Sequence, residues 1–231
     1  MKEYKLFGAT QLGSTALLNH IVMAPMTRCR AIGNISNDLM ATYYEQRAEA
    51  GLIITEGTAP SPNGLGYARI PGIFSTQQTA GWKKVTHAVH GNGGKIFVQL
   101  MHTGRISHPL NMPEDAVILA PSAVKAGGQM WTDTKQLQDF VVPKAMTTED
   151  IVQTKNEFVI AAKNAIAARF DGVELHGAND YLQEIKILPV NNHLQHVIQH
   201  HQILLPKHFQ QRKQIHFLFV QSLRLSLLLV L

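Results

Sequence analysis

Gly172-Val173-Glu174-Leu175-His176-Gly177-Ala178-Asn179-Asp180-Tyr181 decides the fold. A short, mostly apolar run stops abruptly, and polar and aromatic side chains crowd the residues just beyond it. The same arrangement recurs upstream. Ile21-Val22-Met23-Ala24 closes on Pro25-Met26-Thr27, Leu52-Ile53-Ile54-Thr55 on Glu56-Gly57-Thr58, and Lys95-Ile96-Phe97-Val98-Gln99-Leu100 on Met101-His102. Continuous apolar runs suit parallel strands covered on both faces. Polar residues gathered where such strands end are the layout of a β/α barrel, whose chemistry sits on the C-terminal rim of its strands.

Helical patterns lie between the runs. Asn37 or Ser36 can cap a helix carrying Leu39, Met40, Tyr43, Tyr44 and Ala48, ended by Gly51. Ser75 caps a second with Trp82, Val85 and Val89, ended by Gly91. Gly91-Asn92-Gly93-Gly94 lacks the Lys-Ser/Thr ending of a phosphate loop and reads as a turn. Thr147-Thr148-Glu149-Asp150 opens a third helix, with Ile151, Phe158, Val159, Ala162 and Ile166 on one face. Residues 103–143 form a Pro- and Gly-bearing excursion too long for an ordinary connection, so a lid or hairpin over the site is expected there. The fold class is therefore α/β: a partial (β/α)8 barrel of about four strands and three helices in residues 1–184.

Residues 185–231 read differently. These 47 residues contain no Gly, Ala, Thr, Asp, Glu, Met, Trp or Tyr, yet hold six of the 12 histidines. No turn chemistry punctuates them and no strand–helix alternation can be drawn through them. The abrupt change suggests a shifted reading frame and a truncated barrel. On that expectation, two sheet edges are left unpaired and invite self-association. His193, His196, His200 and His201 could share a helix face, but without a nearby carboxylate no metal is expected.

Composition narrows the function classes. Hydrophobic content of 45% and charged content of 16% are those of a soluble globular domain. The net charge of +5 comes from the tail: all 16 acidic residues lie at or before Glu184 beside 16 of the 21 Lys and Arg. A scattered surplus is not a face built to track phosphates, so no nucleic-acid partner is expected. Residues 217–231 are apolar but contain Arg224, and they fall short of the roughly 20 residues that span a bilayer, so no membrane partner is expected. The single cysteine, Cys29, excludes an intrachain disulfide or a four-cysteine cluster. The charged start Met1-Lys2-Glu3-Tyr4-Lys5 leads into no apolar h-region, and a cytoplasmic location is expected.

The rim residues suit one kind of ligand. Thr27 offers a hydroxyl, Gln99 an amide, His176 and Asn179 two donors three residues apart, and Tyr181 a phenol. A flavin ring needs a donor near its carbonyl oxygens and an amide along its pyrimidine edge. A carbonyl substrate stacked on it needs paired donors and a proton source.

At these residues the chain resembles the old yellow enzyme family of FMN-dependent ene-reductases. The likeness runs from about Leu6 to Glu184 and includes Ala24-Pro25-Met26-Thr27-Arg28, Tyr43-Tyr44-Glu45-Gln46-Arg47-Ala48, Gly66-Tyr67, Val98-Gln99-Leu100, His102-Thr103-Gly104-Arg105 and the His176 motif. Any one piece is weak; so many in order are specific. The resemblance implies that Ala24, Pro25, Met26, Thr27, Gly57, Gln99 and His176 meet FMN. It further implies that Tyr67, Met101, His176 and Asn179 line the substrate site, with His176 and Asn179 holding the substrate oxygen and Tyr181 donating a proton. NAD(P)H would reduce the flavin, which would pass hydride to an activated alkene, an α,β-unsaturated carbonyl or nitro compound. The chain has Met101 where the family commonly has Trp, and Asp180 where it has Gly. It also lacks recognisable later strands, which in the family supply a basic residue near the flavin and the phosphate loops. Two alternatives stand beside this reading: a non-catalytic half-barrel that retains no flavin, and another FMN barrel oxidoreductase. The dienoyl-CoA reductase relatives need an iron–sulfur cluster that one cysteine cannot ligate.

Overall fold

The computed structural model describes residues 5–182 and the backbone of two later strands, 217–219 and 226–230. A hairpin comes first, β1 (Thr10–Leu12) and β2 (Thr15–Leu17), followed by β3 (Val22–Met23), α1 (Asp38–Glu45) and β4 (Leu52–Thr58). Next come α2 (Thr76–Gly91) and β5 (Ile96–Leu100), then the excursion with β6 (Leu119–Ala120), β7 (Gln129–Thr132), β8 (Gln136–Asp139) and β9 (Lys144–Ala145). The order ends with α3 (Thr148–Ala167), β10 (Gly172–His176), β11 (Phe217–Phe219) and β12 (Ser226–Val230). Strands β3, β4, β5 and β10 lie side by side and parallel in chain order, the beginning of a barrel wall.

The caps expected from sequence form. The Asn37 side chain accepts from Met40 N, and Ser75 with Gln78 and Thr147 with Asp150 make full capping boxes, each satisfying orphan donors of a first helical turn. The buried line of α3 matches the expected one only in part, at Phe158, which is buried, and Ala162, which packs against the core. It runs through Thr154, Phe158, Ala161 and Ala165, while Ile166 is 41% exposed. Two apolar stripes share this helix, and the one with alanines packs inward because small side chains let the helix approach the sheet. Leu39 of α1 is likewise exposed at 64%, and α1 stops at Glu45, short of Gly51.

The sheet has a core on each face. Outward, Ile53, Ile96, Val98, Leu100 and Val173 pack under Trp82, Val85, Val89, Phe158 and Ala161 of the helices. Inward, Leu52, Ile54 and Phe97 are plugged by Leu12 and Leu17 of the β1–β2 hairpin, which closes the end of the barrel opposite the rim. Gly172 makes room for this inner layer, since a Cβ there would sit 2.5 Å from the Phe97 ring. The β4–β5 register slips between Ile54 and Gly57, and the Thr55 hydroxyl accepts Gln99 N at 3.1 Å in the bulge.

The edge beyond β10 is not open, contrary to the sequence expectation. β12 runs antiparallel along it from Gly172↔Val230 to His176↔Ser226, and β11 pairs with β12. Unpaired backbone N–H and C=O groups at a sheet edge accept any extended run, whatever its turn chemistry. The four tail histidines lie outside the described residues. Among the described residues no helix is long and apolar enough to cross a membrane.

One ion cluster ties β5 to β10 below the rim. Asp171 accepts from Lys95 Nζ at 2.9 Å, from His90 Nε2 at 2.8 Å and from Ile96 N at 3.0 Å. Burial pushes its carboxyl up, but the Ile96 N–H, Lys95 and His90 together outweigh this and hold it below its ordinary value of 3.8. A carboxyl depressed in the folded state stabilises fully above pH 3.8, and that share is lost as pH falls through the lower folded value. Asp171→Asn should cost about 2 kcal/mol at neutral pH. The gap between wild type and variant in urea denaturation should close below the ordinary Asp value; a pH-independent gap would refute this reading.

Candidate active site

The rim is built by the C-terminal ends of β3, β4, β5 and β10. After β3, Ala24, Met26 and Thr27 are exposed and Pro25 is half-buried, so this strip faces out from the strand ends. The strip is pinned from below by Glu56. That carboxylate is 1% exposed, and its Oε2 accepts the Arg28 N–H at 3.0 Å. Tyr44 braces it, its hydroxyl accepting Glu56 N at 2.9 Å. Burial raises the Glu56 carboxyl, against the lowering effect of the Arg28 and Cys29 N–H groups. Cys29 has φ +54, so the chain turns through a left-handed residue two positions beyond Thr27.

Gly57 and Met101 meet closely: a Cβ on Gly57 would lie 2.4 Å from Met101 Sδ. Met101 is 2% exposed and packs with Ala59, Leu65 and Ile70 in a cluster that also takes Tyr67 and Tyr181. It therefore backs the two tyrosines. Gln99 is 5% exposed, and its Nε2 donates to Glu174 Oε1 at 2.6 Å and lies 3.4 Å from His176 Nδ1. The parallel register sets Glu174 directly beside Gln99, on the inner face shared with His176 two residues on. Burial raises the Glu174 carboxyl, and the Gln99 bond lowers it in part.

Above this layer sit the remaining residues. His176 Nε2 and Asn179 Nδ2 lie 3.2 Å apart, and the His176 and Tyr181 rings have centroids 5.2 Å apart. The Tyr67 and Tyr181 hydroxyls are 2.7 Å apart, and either can donate. Burial, then the Tyr67 hydroxyl, push the Tyr181 phenol far above its ordinary value, so it stays protonated at any working pH. The excursion supplies a hairpin, as expected. Met130 and Phe140 pack with Ala126 against Tyr67 and Ile106, which braces Tyr67 from outside the barrel. The structure thus gathers Gln99, His176, Asn179, Tyr67 and Tyr181, with Met101 behind them, and leaves Ala24–Thr27 as an exposed strip at the other side of the wall.

A family profile described as NADH:flavin oxidoreductase / NADH oxidase matches residues 5–194. The chain belongs to that family. It is 39% identical over 184 residues to 12-oxophytodienoate reductase 7 of Oryza sativa subsp. japonica, an alignment covering 78% of this chain and 47% of the relative. A probable flavin mononucleotide-dependent alkene reductase of Leishmania infantum is 44% identical over 176 residues, covering 74% and 48%. Among solved structures, morphinone reductase in complex with tetrahydroNAD superposes with a TM-score of 0.73 at 43% identity, covering 78% of this chain and 51% of that one. The old yellow enzyme homologue from Zymomonas mobilis gives 0.74 at 40%, covering 78% and 50%. Those neighbours are TIM barrels, so the parallel wall seen here is part of that barrel; the chain spans about half the length of the relatives it matches.

Two residues of this family member escaped the sequence reading. Glu56 and Glu174 are site residues that the motif pattern does not single out, although a carboxylate inside an apolar strand run is itself a signal. Buried charge is kept only when partners hold it. Asp180 also proves informative. Asn179 has φ +62 and Asp180 φ +58, two successive left-handed residues. Asp180→Gly should raise stability by up to about 1 kcal/mol, because glycine adopts that conformation without strain. A fall in the thermal midpoint would show that the Asp180 side chain holds the turn.

Proposed function

We propose that this chain carries the flavin-facing rim of an FMN-dependent alkene reductase, using NAD(P)H as reductant and acting on small α,β-unsaturated carbonyl or nitro compounds. The observation that supports it most is the convergence of His176 Nε2 and Asn179 Nδ2, 3.2 Å apart, beside the protonated phenol of Tyr181. The two nitrogens are hydrogen-bonded to each other. A substrate carbonyl oxygen bound at that point could replace this contact and take the Asn179 N–H and an N–H of His176, while a neighbouring O–H can deliver a proton next to it.

The donor set also fits a flavin. Thr27, the Gly57 backbone and the Gln99 amide lie along successive strand ends, with His176 next in line, and they offer the mixed donors and acceptors that a pyrimidine edge requires. Bound there, FMN would supply the hydride chemistry, between NAD(P)H and the activated double bond. The protein's share is orientation, exclusion of water behind Met101 and Tyr67, and custody of the Tyr181 proton. The names of the relatives, a flavin mononucleotide-dependent alkene reductase among them, agree with this reading.

Titration of the 231-residue chain with FMN, followed by quenching of flavin fluorescence, tests the proposal. Saturable binding is expected, weaker than that of a full-length relative because the described residues include no loop suited to the phosphate. His176→Ala and Asn179→Ala should each weaken binding of a phenol or enone about tenfold, by removing one donor to a buried oxygen. Absence of any FMN binding would favour the second reading, a half-barrel that retains no flavin.

A further inference from the structure

Tyr67 follows a turn whose successive carbonyls each stand beside a side chain of the excursion. Thr103 Oγ1 lies 3.2 Å from Gly64 O, Ser107 Oγ 3.0 Å from Leu65 O, and Asn111 Nδ2 2.9 Å from Gly66 O. We propose that Asn111 is a positioning residue for the proton step: it ties the Tyr67 turn to the β7–β8 hairpin and so holds the Tyr67 hydroxyl on that of Tyr181. Besides Gly66 O, its Nδ2 donates to Trp131 O at 2.8 Å. Both amide hydrogens are thereby used, and the end-for-end amide would set an oxygen against two carbonyls. Gly66 O belongs to the planar peptide unit that ends at the Tyr67 Cα. Holding that oxygen holds the plane from which the Tyr67 side chain springs.

The turn is seated tightly on its other side. A Cβ on Gly66 would lie 2.5 Å from Thr103 Oγ1, 2.7 Å from Ile106 O and 2.8 Å from Ser107 Oγ. Thr103 and Ser107 are fully buried, and their hydroxyls, 2.6 Å apart, share two hydrogens between each other and the neighbouring carbonyls. Asn111 is itself fixed. It closes the short 3-10 turn Pro109–Asn111, and Met112 after it packs on the Met101 cluster that also takes Tyr67 and Tyr181. From the hairpin, Met130 and Phe140 pack beside Tyr67. The two phenol oxygens are 2.7 Å apart, so a displacement of about 1 Å would break their hydrogen bond. The part in proton transfer rests on the reductase reading; the brace itself does not.

The test is NMR of the full chain with 13C at the tyrosine Cζ positions, whose resonances respond to hydrogen bonding at the hydroxyl. Tyr67→Phe should shift the Tyr181 resonance, and the size of that shift measures the contact. With Asn111→Ala also present, the shift should fall to about half or less. Asn111→Asp should act likewise. Its carboxylate keeps the shape of the amide but only accepts, so a role in packing alone would leave the shift at its original size. Tyr43 and Tyr44, in α1, should keep their resonances and so report an intact fold. With FMN bound, each variant should slow alkene reduction about tenfold and flavin reduction little, and neither should add to the effect of Tyr67→Phe. If one variant folds poorly, the other decides. An undiminished shift in either folded variant would overturn the proposal. So would loss of the Tyr43 and Tyr44 resonances in both, which would make Asn111 a residue of the fold as a whole. Failure to bind FMN with the NMR pattern as expected would instead remove the reductase reading and leave the brace standing.

Discussion

Tyr181→Phe is expected to slow alkene reduction by about 10²–10⁴-fold in FMN-loaded protein, the usual range for removal of a general acid. Reduction of the flavin by NAD(P)H should change little, because no proton is needed from the phenol in that half-reaction. The asymmetry follows from the site. Burial and the 2.7 Å contact with Tyr67 keep the Tyr181 hydroxyl protonated. Its ring lies beside His176, at the pair of donors proposed to hold the substrate oxygen. Phe keeps the packing against Met101 and Tyr67 and removes only the O–H. Tyr67→Phe should have a smaller effect, since it orients the donor without replacing it. Stopped-flow measurement of the two half-reactions separates the cases. Equal slowing of both would mean that the substitution disturbs the flavin site as a whole, and an unchanged alkene step would remove Tyr181 from the proton path.

Trp82→Ala should cost about 4 kcal/mol, most or all of the stability of a marginal domain. Trp82 is fully buried where the outer helices meet the sheet, and it is the largest such side chain. Its ring stands 5.3 Å from Phe170 and 6.2 Å from Tyr44, and its indole N–H donates to Gly72 O at 3.1 Å. Truncation leaves a cavity among three elements and strands a buried carbonyl at Gly72. The damage should reach the rim, because Tyr44 also accepts Glu56 N and Glu56 pins the strip behind Thr27. Trp82→Phe should recover more than half of the loss, without the indole bond. Urea unfolding of both variants measures this; a loss below about 1 kcal/mol for Trp82→Ala would mean that the site collapses to fill the void.

The local elements were legible in the sequence because their causes are local. Caps depend on residues three apart, as at Asn37, Ser75 and Thr147, and strand ends show as an apolar run giving way to polar residues. The tail strand β12 was not legible, since edge pairing draws on backbone groups that carry no sequence signature. The inward line of α3 was legible only in part, at Phe158 and Ala162, because two apolar stripes compete and only contact with the sheet chooses between them. At the site, the sequence by itself named Thr27, Gln99, His176, Asn179 and Tyr181 and the chemistry that their types allow. Tertiary structure alone decided which of them touch. Tyr67 meets Tyr181 across 114 residues, and Gln99 meets Glu174 across 75. Both contacts follow from where the parallel strands stop and in what register they pair. A slip of one residue would turn Glu174 to the helix side and break its bond to Gln99.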